Sequence, residues 1–100
     1  MTHATVVRYT TRPEHADENE RLIRAVFAEL AEQAPAGLHY SAIRLEDNVS
    51  FVHVAVLDGE DNPLNALAAF GAFVGGISDR CTEGPTPVNG TVVGSYQMSE

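Results

Sequence analysis

The chain has no tryptophan, one cysteine, six basic residues and no long apolar run. Each shortage excludes something. Cys81 alone cannot close an intrachain disulfide, which fits a reducing compartment. Six basic against fourteen acidic residues leave a formal charge of −8. Such a surface repels polyanions at long range, so neither nucleic acid nor an anionic membrane is an expected partner. The least polar stretch, Ala66 to Ile77, holds three glycines and falls well short of the roughly 20 residues of a membrane span. His3, His15, His39 and His53 never stand at HxH or HxxxH spacing, and Cys81 has no CxxC partner, so no metal site is expected. No GxSxG motif is present. Gly71, Gly75 and Gly76 fall inside an apolar segment rather than after a strand, which excludes a phosphate-cradling loop. Met1-Thr2-His3-Ala4 has no basic stretch leading into an apolar one, so no secretion signal is expected and a cytoplasmic location is.

What is present suits one globular domain over residues 1–100. Thr5 to Thr10 is β-branched and aromatic and reads as a first strand. Arg12-Pro13 ends it, and a helix is expected from about Pro13 to Ala34. Glu14, Asp17, Glu18 and Glu20 complement the dipole at its start. Leu22, Ile23, Val26, Phe27, Leu30, Ala31 and Ala34 make a helical stripe, and Pro35-Ala36-Gly37 stops it. Leu38–Glu46 and Ser50–Leu57 read as strands joined by a tight turn at Asp47-Asn48. Asn62 can cap a second helix with Pro63 at its first position, and a break is expected near Gly75-Gly76. Residues 82–87 read as loop, and Thr91–Tyr96 as the last strand. The order βαββαβ is that of a ferredoxin-like α+β fold, a four-stranded antiparallel sheet with two helices on one face.

The turn pairs Arg44 with Phe51, Ile43 with Val52, Ala42 with His53, Ser41 with Val54 and Tyr40 with Ala55. Alternation then separates two faces. Ile43, Leu45, Val52, Val54 and Val56 form an aliphatic face expected to meet the helices, as are Val7 and Tyr9 of the first strand. Tyr40, Ala42, Arg44, Phe51, His53 and Ala55, with Arg8 and Tyr96 added, form a mixed face. That mixed face is expected to meet a second copy of the chain or to enclose a wet cavity.

The βαββαβ order in about 100 residues resembles the dimeric α+β barrel superfamily. So do the long acidic first helix opening at Arg12-Pro13-Glu14, the hairpin from Arg44 to Phe51, and the Phe-rich second helix before a final Thr-Val-Val strand. The branch it is most similar to is the small antibiotic-biosynthesis-monooxygenase-like proteins. The resemblance implies a homodimer through the sheet face and a pocket between sheet and helices or inside the barrel. It also implies chemistry without metal or flavin. Two features depart from the pattern. There is no tryptophan, and Asn19 lies near the acidic start rather than in the apolar stripe. Tryptophan is part of the haem-degrading site and of several monooxygenase sites in similar proteins, so both departures count against an enzyme, haem degradation above all.

His53 is the side chain best suited to proton chemistry, since imidazole titrates near neutral pH. Beside Tyr40, Arg44 and Arg8 it could take a proton from a phenol or hydroquinone while the arginines stabilise the oxyanion. Arg8, Phe51 and Tyr96 are candidates to hold the substrate. The expected function is cofactor-independent, monooxygenase-like oxidation of a small aromatic or quinol-like molecule. The alternative is a non-catalytic dimeric module that binds a small molecule or a protein, with His53, Arg44 and Tyr40 as ordinary interface residues.

Overall fold

A computed structural model describes residues 3–59 and 61–96. Strand β1 spans His3–Thr11. A 3-10 turn at Pro13–His15 leads into helix α1, Ala16–Gln33. Strands β2 (Leu38–Arg44) and β3 (Ser50–Leu57) follow as a hairpin. A second 3-10 turn, Pro63–Ala66, precedes helix α2 (Ala68–Gly75), the short helix α3 (Ile77–Arg80) and strand β4 (Cys81–Thr91). The sheet order is β2-β3-β1-β4, antiparallel throughout. This is the ferredoxin-like arrangement expected from the element order. No helix among the described residues is long and apolar enough to cross a membrane.

Local chemistry explains the boundaries. Ala34 closes α1 in the left-handed region at φ 45°, its N–H donating to the Leu30 carbonyl at 2.8 Å. The hairpin turn is held by Asp47, whose Oδ1 accepts from the N–H groups of Val49 and Ser50 at 3.0 and 2.8 Å. Its Oδ2 accepts from the Ser50 hydroxyl at 2.6 Å. Those bonds, the Ser50 hydroxyl first, hold the Asp47 carboxyl below its ordinary pKa. Asn48 takes φ 68°, which its short amide side chain tolerates. Asn62 accepts from Leu64 N–H at 3.0 Å, capping the 3-10 turn rather than α2 itself. The N-terminus of α2 is capped from α1, where Glu29 accepts from Ala69 N–H at 2.9 Å. The helix breaks at Gly76, as the glycine pair suggested.

Two expectations need correction. The last strand is Cys81–Thr91, not Thr91–Tyr96, and it covers the segment read as loop. Pro85 and Pro87 misled because proline cannot donate to a ladder. But β4 is an edge strand, where one side needs no donors. Gly84 sits at φ +79° beside the register shift against β1, and a Cβ there would lie 2.8 Å from the Arg8 carbonyl oxygen. No other residue type fits that approach without strain.

The second correction concerns the faces. The hairpin register is the expected one, Arg44 opposite Phe51 through Tyr40 opposite Ala55. The assignment of faces is reversed. Phe51 and His53 are buried beneath the helices, in the same core as Tyr9, Ile23, Val26 and Phe73. Ile43, Val52, Val54 and Val56 lie on the side away from the helices, and Ile43 is 52% exposed. The β1 pairing makes this unavoidable. Val7 lies opposite His53 and Tyr9 opposite Phe51, so placing Val7 and Tyr9 against the helices forces Phe51 and His53 to the same side. The mixed face is thus an interior. His53 is matched within the sheet by Tyr9 and Tyr40, and Arg44 by Asp17 and Glu20 of α1. The open face carries Val6, Ile43, Val54 and Val88, with Val88 60% exposed.

Candidate functional site

A cavity of about 270 Å³ lies between the sheet and α2–α3. Its floor is the helix-facing side of β1 and β3, including Val7, Tyr9, His53 and Ala55; its roof includes Leu64, Phe70, Phe73 and Ile77. Pro85 and Pro87 of β4 close one side. The lining is predominantly apolar, with Thr5, Asn62 and a hydrogen-bonded group of Tyr9, Tyr40 and His53 as its polar members, which is how small-molecule sites are usually built.

That group is centred on His53. Its Nε2 is 2.7 Å from the Tyr9 hydroxyl, and its Nδ1 is 2.6 Å from the Tyr40 hydroxyl. Asn19 donates from Nδ2 to the Tyr9 hydroxyl at 2.9 Å. Arg80 donates from Nε to Asn19 Oδ1 at 3.0 Å and from a terminal nitrogen to the Phe73 carbonyl at 2.6 Å. Five side chains from β1, α1, β2, β3 and α3 thus form one hydrogen-bonded row. No buried side-chain nitrogen or oxygen among the described residues lacks a partner. Aromatic packing fixes the ring planes. Tyr9 stacks on Phe51 at 5.4 Å, Tyr40 on Phe27 at 5.1 Å and His53 on Phe73 at 5.3 Å. The Arg80 guanidinium lies 5.4 Å from the Phe73 ring centroid.

Burial sets the protonation states. It pushes His53 down to about 4, so the imidazole is neutral at physiological pH and a weak base. It also raises both tyrosines well above the ordinary phenol range, which keeps them as hydroxyl donors. Burial likewise raises the Cys81 thiol, with Arg80 opposing it only secondarily, so Cys81 is not an activated thiolate.

The site residues named from sequence divide. His53 and Tyr40 are brought together at the cavity. Arg44 shares their side of the sheet but is turned away. It binds Glu20 at 2.7 Å, Asp17 at 3.2 Å and the Asn48 carbonyl, and it lines a separate groove with Glu20 and Arg24. Arg8 is exposed on the opposite side of the sheet from His53, because it alternates with Val7 and Tyr9. Phe51 is core, stacked on Tyr9, and does not line the cavity. Tyr96 lies beyond β4 and is 82% exposed.

Three members of the row were not named from sequence as site residues: Tyr9, Asn19 and Arg80. A signal for Asn19 existed. Asn19, Ile23, Val26 and Leu30 are spaced four, three and four, so Asn19 extends the apolar stripe, and it is fully buried. Reading it as part of the acidic start was the error. Arg80 is 6% exposed and gave no such signal, since an arginine at a helix end is ordinarily solvated. Among the described residues, no group of three or more His, Cys, Asp or Glu gathers as a metal site.

No family model matches the chain, and no curated protein matches it. Solved structures do match. The Rv0793 protein of Mycobacterium tuberculosis superposes with a TM-score of 0.76 at 13% identity, covering 97% of this chain and 100% of that one. A protein of Nitrosomonas europaea, proposed to be an antibiotic biosynthesis monooxygenase, gives 0.76 at 13% identity over 92% and 90%. SnoaB of Streptomyces nogalater, a cofactor-independent oxygenase, gives 0.68 at 19% identity over 96% and 97%. The chain therefore has the ferredoxin-like fold of the antibiotic-biosynthesis-monooxygenase-like proteins.

Proposed function

We propose that the chain is a cofactor-independent, monooxygenase-like protein acting on a small aromatic or quinol-like molecule in the cavity beside His53. The observation that carries this reading is the Tyr40–His53–Tyr9 row at the wall of a predominantly apolar cavity. Likeness of fold to a cofactor-independent oxygenase supports it. An apolar pocket holding a flat ring, with hydrogen-bonding groups at one edge, suits a phenolate. The oxyanion-stabilising part read from sequence onto Arg44 and Arg8 passes to the Tyr40 hydroxyl, because neither arginine lines the cavity.

The reaction balances without another reductant. A bound phenolate gives one electron to dioxygen. The radical pair combines at a hydrogen-bearing ring carbon to give a peroxide anion. The proton first lost from the phenol returns to it to form the hydroperoxide, and loss of water, taking the carbon's hydrogen, leaves a carbonyl. One oxygen atom enters the product and the other leaves as water. All the electrons come from the substrate.

The chain would work as a homodimer through the open sheet face, on which Val6, Ile43, Val54 and Val88 form an apolar patch. This replaces the face first expected, which the chain's own helices cover.

Dioxygen consumption is the test, run across a panel of phenols and hydroquinones. Turnover by the wild type and a loss of at least about tenfold in His53→Ala, which removes the imidazole that orients the Tyr40 hydroxyl, with the dimer intact, is the expected result. Unchanged turnover in that variant would remove His53 from the reaction. A second reading, a non-catalytic binding module, is favoured by one feature. The row is fully hydrogen-bonded, and burial holds His53 down to about 4. It predicts ligand binding by the wild type with no dioxygen consumed by any member of the panel.

A further inference from the structure

Hydrogen positions along Arg80, Asn19, Tyr9, His53 and Tyr40 follow from valence. A guanidinium has only donors. The Asn19 atom 3.0 Å from Arg80 Nε must therefore be the oxygen, and the amide nitrogen faces Tyr9. Tyr9 is 2% exposed, and among the described residues its hydroxyl has two partners, Asn19 and His53. Asn19 donates to it, so its one hydrogen goes to His53 Nε2. A neutral imidazole that accepts at Nε2 carries its proton on Nδ1. His53 therefore donates to Tyr40. The Tyr40 hydrogen is left over, and Tyr40 lines the cavity.

The reverse polarity is disfavoured at both ends. It would set two donors, Asn19 Nδ2 and His53 Nε2–H, against the Tyr9 oxygen and strand the Tyr9 hydrogen in the core. It would also turn the dipoles against the charge of Arg80. That charge is buried with no carboxylate in ion-pair range among the described residues, where the ion pairs belong to His15, Arg24 and Arg44. Aligned donors pointing away from a cation reinforce one another.

We propose that Arg80 and Asn19 are positioning residues that fix this polarity, so that Tyr40 presents a hydroxyl donor and the cavity selects ligands by an acceptor oxygen. The ligand class is a ketone, a quinone carbonyl or a phenolate on a small ring system, in preference to a ring bearing only a donor. The proposal rests on the cavity being the ligand site, as in the proposed function, but not on oxygen chemistry.

The substitution Asn19→Asp keeps the shape of the side chain and leaves it only acceptors. Tyr9 then donates to position 19, His53 carries its proton on Nε2, and Tyr40 turns its hydrogen inward to Nδ1. Lone pairs then face the cavity. Histidine-selective nitrogen NMR reads the tautomer, and binding of two bicyclic probes of similar shape reads the selectivity: indanone, an acceptor, and indole, a donor. The expected wild-type results are the Nδ1–H tautomer for His53 and a preference for indanone of at least about fivefold. In Asn19→Asp both reverse. An Nε2–H tautomer in the wild type would overturn the proposal. So would a preference unchanged by the substitution, or no binding of either probe by the wild type. If the variant does not fold, the wild-type tautomer and preference still decide. The expected tautomer and selectivity without dioxygen uptake would sink only the oxygenase reading. Uptake with the wrong tautomer would sink only the polarity.

Discussion

Asn19 and Tyr9 meet at 2.9 Å, an amide nitrogen on α1 against a phenol oxygen on β1, both almost wholly buried. This contact joins the helix layer to the sheet through polar atoms at the centre of an apolar core. Removing one partner leaves the other desolvated. Asn19→Ala strips a hydrogen bond from both Tyr9 and Arg80, and it is expected to cost about 1–3 kcal/mol or somewhat more. The midpoint of urea unfolding measures it. A variant as stable as the wild type would mean that water replaces the amide.

Stability should fall with acid in a window set by His53. Its pKa is about 4 when folded against an ordinary 6.5, so the unfolded chain binds the extra proton between those values. The stabilisation is complete above about pH 6.5 and is lost as pH falls towards 4. The shift corresponds to about 3–4 kcal/mol at most. In His53→Gln, unfolding free energy measured across that range should flatten. An unchanged slope would place the titration elsewhere.

Gly84→Ala should be destabilising by about 1 kcal/mol or more, through both the left-handed backbone and the 2.8 Å approach to the Arg8 carbonyl oxygen. Thermal unfolding beside Gly90→Ala, where a Cβ meets nothing within 4 Å, separates this from a general glycine effect.

Ile43→Asp puts a charge on the open sheet face, where the side chain is 52% exposed in the single chain. If that face joins two copies, the charge is buried unpaired on association, and the dimer should weaken by at least about a hundredfold. Sedimentation across protein concentration reads it, while circular dichroism should show the fold intact. Equal association of variant and wild type would place the partner elsewhere.

Sequence determined the first strand, the first helix and the β2–β3 hairpin, but not the last strand. The stripe Ile23, Val26 and Leu30, the stop at Pro35-Ala36-Gly37, the Asp47-Asn48 turn and the break at Gly76 are local, and local sterics and hydrogen bonds decide them. Hairpin register followed from the turn. What register cannot fix is which side of a strand faces inward when both sides carry apolar groups. Val52 and Val54 looked more like core than Phe51 and His53 did. That choice depends on the surface across from the sheet: α1 brings Asn19 there to satisfy Tyr9, and α3 brings Arg80 to hold Asn19, while His53 is satisfied by Tyr9 and Tyr40. The site has the same origin. His53 and Tyr40 are neighbours in one hairpin and could be read together, whereas Asn19 and Arg80 stand 61 positions apart and meet only in the packed chain. A polar group can be buried only if its partners arrive with it. Only the tertiary structure decides whether they do.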